Sequence, residues 1–162
     1  MKLSGKSVAI LATHGFEQSE LLKPREALLA EGAKVEIVAP EEGDIQGFEH
    51  FDPGEKVKVD VTLQMADPDR YDALVLPGGA HNPDQLRINE QALDFVRAFF
   101  EAGKRAGVTC HAPWILINGG PAEGRRLTSY KTIREDLRNA GAEVVEVQPA
   151  RPRDGVLHAG SR

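Results

Sequence analysis

The chain reads as an α/β protein built around a mainly parallel sheet, on three observations. Short apolar runs at Val8 to Ala12, Val35 to Ala39 and Tyr71 to Leu76 contain continuous rather than alternating apolar stretches, as strands covered on both faces do. Helix-length segments separate them, and glycines close those segments. Strand, helix, strand in succession is the signature of right-handed crossovers.

The elements follow in order. Val8 to Ala12 is the first strand, with Gly15 in the loop after it. A helix is predicted over Glu17 to Glu31, with Leu21, Leu28 and Leu29 near one face and Gly32 as its stop. Val35 to Ala39 is the next strand. Residues 41–60 are rich in Gly, Asp and Glu, and Val57-Lys58-Val59-Asp60-Val61 alternates, which predicts a hairpin excursion. The strand Tyr71 to Leu76 ends at Pro77-Gly78-Gly79. A helix from Asn89 to Ala102 gathers Ala92, Phe95, Val96 and Phe99 on one stripe. Gly107-Val108-Thr109 leads into Cys110-His111-Ala112-Pro113-Trp114, and a short apolar helix runs on to Gly119-Gly120. Tyr130 to Ala140 is predicted helical, with Ile133, Leu137 and Ala140 on one side, and Val144 to Val147 is a strand.

Composition narrows the classes of function. At 162 residues the chain fits one domain, taken as 1–162. Apolar residues at 41% and charged residues at 28% argue against disorder. A net charge of −5, with no long Lys/Arg run, argues against nucleic acid as a partner. No apolar run approaches the ~20 residues of a membrane span. The start is too short and polar for a signal peptide, so the cytoplasm is the expected compartment. The single cysteine makes neither an intrachain disulfide nor a Cys-based zinc site. No metal or cofactor is expected.

In an open parallel sheet, ligands bind beyond the carboxyl ends of the strands. That rule selects the loops 13–18, 77–84 and 110–114. Cys110 stands where a strand hands over to a helix, the layout of a nucleophile elbow without the Gly-x-Ser-x-Gly pattern. Helix N–H groups following it favour thiolate; the other reading is an inert core cysteine. His111 is either a base or thiolate-stabilising group, or a residue that caps the helix or faces solvent. Glu17 is either a shielded, proton-holding carboxyl in the same crevice or an ordinary first-turn glutamate. Gly78 and Gly79 let backbone N–H groups approach a ligand as an oxyanion hole would, or simply form a tight turn. Asp84, in the turn sequence Asn82-Pro83-Asp84, either orients a histidine or caps the next helix. Trp114 reads as packing.

Five segments in order resemble one family: Phe16-Glu17-x-x-Glu20-Leu21, Leu74-Val75-Leu76-Pro77-Gly78-Gly79, Asn82-Pro83-Asp84-x-Leu86-Arg87, Cys110-His111-Ala112-Pro113-Trp114 and Leu127-Thr128-Ser129-Tyr130. They are similar to the PfpI-type intracellular protease family, in the superfamily of the parkinsonism-associated deglycase and the class I glutamine-amidotransferase-like fold. The resemblance covers about residues 7–147. It implies a flavodoxin-like three-layer sandwich with Cys110 as nucleophile at a strained elbow. It also implies that Glu17 is the protonated carboxyl on the sulfur, that His111 is the catalytic histidine, and that Asp84 is an acidic partner supplied across a subunit interface. A homodimer or higher homo-oligomer is therefore expected. Ala112, expected with Gly78 and Gly79 among the oxyanion or substrate-binding residues of the elbow, stands where the family commonly has Gly, narrowing the backbone approach to substrate. Thr109 stands where the family has apolar residues, so its hydroxyl needs a partner if buried.

The end departs most. Gln148 to Arg153 replaces a valine-rich strand, Asp154-Gly155-Val156-Leu157 resembles a later family strand, and the last helix of the family is missing. Exposed apolar sheet surface is the expectation, with either lower stability or compensation by a partner chain. Three functions fit these residues. The first is a cysteine-dependent enzyme acting on reactive carbonyls, glyoxalase- or deglycase-like, in stress protection. The second is an intracellular cysteine peptidase. The third is a non-catalytic redox sensor or stress chaperone. The substrate is a small aldehyde or a peptide.

Overall fold

The computed structural model describes residues 1–146 and the strand Val156–Ala159. The elements run β1 (Ser7–Leu11), β2 (Phe16–Glu17), α1 (Gln18–Ala30), β3 (Lys34–Ala39), β4 (Asp44–Glu49), β5 (Asp52–Lys58), β6 (Val61–Thr62), β7 (Ala73–Leu76), α2 (His81–Leu86), α3 (Glu90–Glu101), β8 (Arg105–Thr109), α4 (Pro113–Gly119), β9 (Arg126–Leu127), α5 (Arg134–Asn139), β10 (Glu143–Val144) and β11 (Val156–Ala159). The main sheet has the order β11-β8-β7-β1-β3-β6, and all its pairs are parallel. The chain leaves β1 for β3 on one side and returns to β7 on the other. The switch point therefore lies between β1 and β7, where an open α/β sheet has its crevice.

The continuous apolar runs are explained by two cores. Along β1, Ala9 and Leu11 join Leu74, Leu76 and Val108 under the helices α3 and α4. Ile10 and Ala12 face the other way, with Ile37 and Ala39, against Phe16 and Leu21. Neighbouring side chains of a strand point to opposite faces, so a strand buried on both sides has no polar positions to alternate with. On α3 the expected stripe is buried, and Phe95 packs edge-on to Phe99 at 5.2 Å. Asn89 caps that helix by accepting from the Ala92 N–H at 3.0 Å.

The hairpin excursion is present as β4 and β5, which pair antiparallel, with β4 also joining β2. Other boundaries differ. Of the three leucines placed on one face of α1, only Leu21 is buried, and Leu29 is 49% exposed. Leu29 follows Leu28 by one residue, a rotation of about 100° around the helix. Asn82-Pro83-Asp84, read as a turn sequence, lies within the short helix α2. The segment expected as one helix from Tyr130 divides into a tight 3₁₀ turn, Lys131–Ile133, and α5. The expected strand at Val144 begins at Glu143 and pairs with β9, while its last residue, Val147, lies outside the described residues. The altered stretch Gln148 to Arg153 also lies outside them. The later strand expected near Val156 is β11, parallel to β8.

Candidate active site

Strand β8 ends at Thr109, and Cys110 follows with φ +54, one of two non-glycine residues with positive φ among the described residues. A side-chain-bearing residue in this left-handed region is strained by about 1–3 kcal/mol and persists only where its surroundings hold it. The hold is visible: the Cys110 carbonyl accepts from the Tyr130 N–H at 2.8 Å, and the Thr109 carbonyl from the Ala112 N–H at 2.8 Å. The elbow leaves Cys110 8% exposed at the floor of a groove of about 880 Å³. Glu17, Phe48, Phe51, Gly79, His111 and Tyr130 contribute to its walls.

His111 lies beside the thiol. Its Nδ1 is 3.1 Å from Cys110 Sγ, and its Nε2 is 3.4 Å from the Thr132 hydroxyl. The imidazole stacks on Tyr130 with centroids 4.8 Å apart. Burial lowers the His111 pKa from its ordinary 6.5, so the ring is neutral at pH 7.

The carboxyl beside the sulfur belongs to Glu20. Its Oε2 accepts from the Gly78 N–H at 2.7 Å and from the Thr109 hydroxyl at 3.1 Å, and the Cys110 thiol also reaches this carboxyl. Burial raises the Glu20 pKa, and these hydrogen bonds offset part of the rise. The expectation for Glu17 is corrected here. Glu17 lines the groove, but its carboxylate turns to the hairpin, accepting from the His50 N–H at 3.2 Å. It acts on Cys110 only through its charge.

The resting sulfur also differs from the expected thiolate. Burial first, and the Glu20 charge second, push the thiol up to about 11. The Gly79 and His111 N–H groups pull the other way, because both point at the sulfur. These two donors line the place where an oxyanion would form. The expectation that Gly78 and Ala112 provide such donors is corrected: their N–H groups are committed to Glu20 and to the Thr109 carbonyl. Gly78 matters sterically instead, since a Cβ there would collide with Cys110 Cβ and Glu20 Oε2.

Asp84 sits exposed in α2 and is not among the groove-lining residues of its own chain; the Gln85 side chain donates to it at 3.4 Å. Trp114 is half-buried rather than core. Its indole donates to Asp136 at 2.9 Å, and the Arg87 guanidinium lies 4.9 Å over its ring. Asn82, fully buried, is a residue the sequence did not single out. Its side chain accepts from Thr13 N–H at 2.7 Å and donates to the carbonyls of Pro77 and Gly78 at 2.9 and 3.1 Å. It ties the loop after β1 to the loop after β7.

The model of the DJ-1/PfpI family matches residues 6–158. The chain belongs to the DJ-1/PfpI family. It is 43% identical over 141 residues to deglycase TK1284 of Thermococcus kodakarensis, covering 87% of this chain and 82% of that protein. It is likewise 43% identical over 139 residues to deglycase PfpI of Pyrococcus furiosus, covering 86% and 81%. Among solved structures, Drosophila melanogaster DJ-1beta shares the fold with a TM-score of 0.86 at 23% identity, covering 96% of this chain and 82% of that one. Family membership agrees with the mainly parallel α/β sheet. Among the described residues, no helix is long and apolar enough to cross a membrane, and no cluster of three or more His, Cys, Asp or Glu side chains is placed to hold a metal.

Proposed function

We propose that the protein is a cysteine-dependent enzyme acting on reactive carbonyls, with Cys110 as nucleophile, His111 as proton acceptor and Glu20 as the carboxyl that sets the charge at the sulfur. The observation that carries this reading is the elbow itself: a strained Cys110 with an imidazole nitrogen 3.1 Å away. Relatives named deglycases support the same class of chemistry.

For a dicarbonyl such as methylglyoxal, the sulfur adds to the aldehyde carbon as the thiol proton passes to His111. The carbonyl electron pair moves to oxygen, against the N–H groups of Gly79 and His111. The hemithioacetal then gives up its C–H proton to a base and regains a proton at the neighbouring carbonyl carbon, forming a thioester. Water cleaves the thioester, releasing lactate and the thiol. One carbon is oxidised as its neighbour is reduced, so no outside oxidant or cofactor is needed. His111 is suited to the first step because burial keeps its imidazole uncharged near neutral pH.

The groove favours a larger substrate than a free three-carbon aldehyde. Its volume of about 880 Å³ and the aromatic wall of Phe48 and Phe51 suit an aldehyde adduct carried on an amine, the deglycase-like form. The same width supports a second reading, an intracellular peptidase using the same sulfur for acyl transfer. A homodimer in which Asp84 approaches the other copy's His111, working in the cytoplasm during carbonyl stress, completes the proposal.

Conversion of methylglyoxal to lactate by the purified protein, and its abolition in Cys110→Ala, are the expected results. Full activity in that variant would overturn the reading. Peptide hydrolysis without aldehyde turnover would select the peptidase. No turnover, with peroxide oxidising Cys110, would select a redox sensor.

A further inference from the structure

Thr109 is the half-buried residue before the nucleophile, at the end of β8, and its hydroxyl donates to the carboxyl beside the sulfur. Its Oγ1 lies 3.1 Å from Glu20 Oε2, the oxygen that already accepts from Gly78 N–H at 2.7 Å. Two donors occupy that oxygen, so a proton held by Glu20 has to sit on the other one. A hydroxyl that donates to a carboxyl stabilises its ionised form. An ionised Glu20 in turn opposes ionisation of Cys110 beside it.

We propose that Thr109 is a positioning residue that damps the nucleophile: by donating to Glu20 Oε2 it favours the Glu20 carboxylate and so keeps the shared proton on the Cys110 sulfur. An apolar side chain at 109 would leave Glu20 with only the Gly78 N–H and the thiol as partners. Glu20 would then keep its own proton to higher pH and would donate to a thiolate instead of repelling it. The inference rests on the reading that Cys110 is the reactive group, but on no particular substrate.

The other titratable groups around this centre come from every element packed on it. Glu17, three residues earlier at the end of β2, acts on Glu20 by charge. His111 contacts the sulfur, and His50 lies 4.0 Å from Glu17. His14 and His81 line the same groove. Thr109 is distinguished from these by a direct hydrogen bond to the carboxyl and by carrying no charge of its own.

The test is the rate of Cys110 alkylation by iodoacetamide across pH 4 to 11, in wild type, Thr109→Val and Thr109→Ser. Valine keeps the shape and removes the donor. Thr109→Val should alkylate about tenfold faster than wild type in the neutral range, one pKa unit of proton redistribution. The two profiles should converge at the acid end, where Glu20 is protonated in both, and at the alkaline end, where the thiol is ionised in both. Thr109→Ser should restore the wild-type profile. In a Glu20→Gln background the Thr109→Val change should have no effect on the profile. A Thr109→Val profile that overlays wild type, or one displaced uniformly at all pH values, would overturn the proposal. A lowered melting temperature with an unmoved profile would show a purely structural role, and overturns it equally. Because the readout is alkylation, a failed turnover assay bears on the proposed enzyme activity and leaves this result standing.

Discussion

Gly78 separates Cys110 from Glu20 at the distance of a missing side chain: a Cβ at position 78 would overlap both Cys110 Cβ and Glu20 Oε2. The loop after β7 must lack a side chain here for the acid and the sulfur to meet. The Gly78 φ lies outside the left-handed region, so the requirement is one of space, not of backbone freedom.

Gly78→Ala is therefore expected to fold and to lose function. The new methyl displaces either Cys110 or Glu20, and misplacement of a reacting group by about 1 Å costs on the order of 100-fold in rate. Alkylation kinetics at Cys110 and the far-ultraviolet spectrum, measured together, check this. Alkylation at the wild-type rate would refute it.

Glu20 should leave its mark on stability. Burial raises its folded pKa above the ordinary 4.5. Between those two values the native state still holds a proton that the unfolded chain has released, so stability falls as pH rises through that window. Below it the contribution is fully present, and above it the loss is complete. In Glu20→Gln that fall should disappear from a plot of melting temperature against pH. His111 works in the opposite sense: its folded pKa lies below 6.5, so stability is lost as pH falls below that value. A Glu20→Gln curve retaining the full wild-type fall on the rising-pH side would show that Glu20 titrates normally.

The three hydrogen bonds of buried Asn82 join the two loops that frame the groove. Asn82→Ala leaves Thr13 N–H and the Pro77 carbonyl short of partners in a water-poor site. A loss of about 2–4 kcal/mol is expected, read from urea denaturation. Asn82→Asp should cost a similar amount, because it removes the donor to both carbonyls and buries a charge.

The proposed role of Asp84 is tested by complementation. Cys110→Ala and Asp84→Asn should each be inactive, and a refolded equal mixture should recover about a quarter of wild-type activity, since half the dimers are mixed and one of two sites in each is intact. Full activity in Asp84→Asn alone would remove Asp84 from the site.

How much of this was legible in the sequence depends on which interaction decides each feature. The double core of β1 could be read from Val8 to Ala12 because burial on two faces leaves a pattern within five residues. Cys110 could be read because an abrupt strand-to-helix change is local. The choice between Glu17 and Glu20 could not. They stand three residues apart, Glu17 closing β2 as the N-cap of α1 and Glu20 in the first turn of that helix, so their local signals are similar. Only the long-range hydrogen bonds of the Glu20 carboxyl, from the Gly78 N–H and the Thr109 hydroxyl, decide which one meets the sulfur. The oxyanion donors show the same limit. Gly78, Gly79 and Ala112 all offer an N–H; a long-range bond to Glu20 takes up that of Gly78, and a local turn bond to the Thr109 carbonyl takes up that of Ala112. Thr109 stood out as a hydroxyl in need of a partner, but that partner lies 89 residues away.

The backward bend at Cys110 has a consequence for how this fold tolerates change. A left-handed residue is at ease only as glycine, whereas alanine keeps the clash of its Cβ with the backbone. Two equally inactive variants should then differ: Cys110→Gly should outlast Cys110→Ala in thermal melting by about 1 kcal/mol. The bend that presents the sulfur, just past the end of β8, is thus a place where the scaffold would be more robust with no side chain at all.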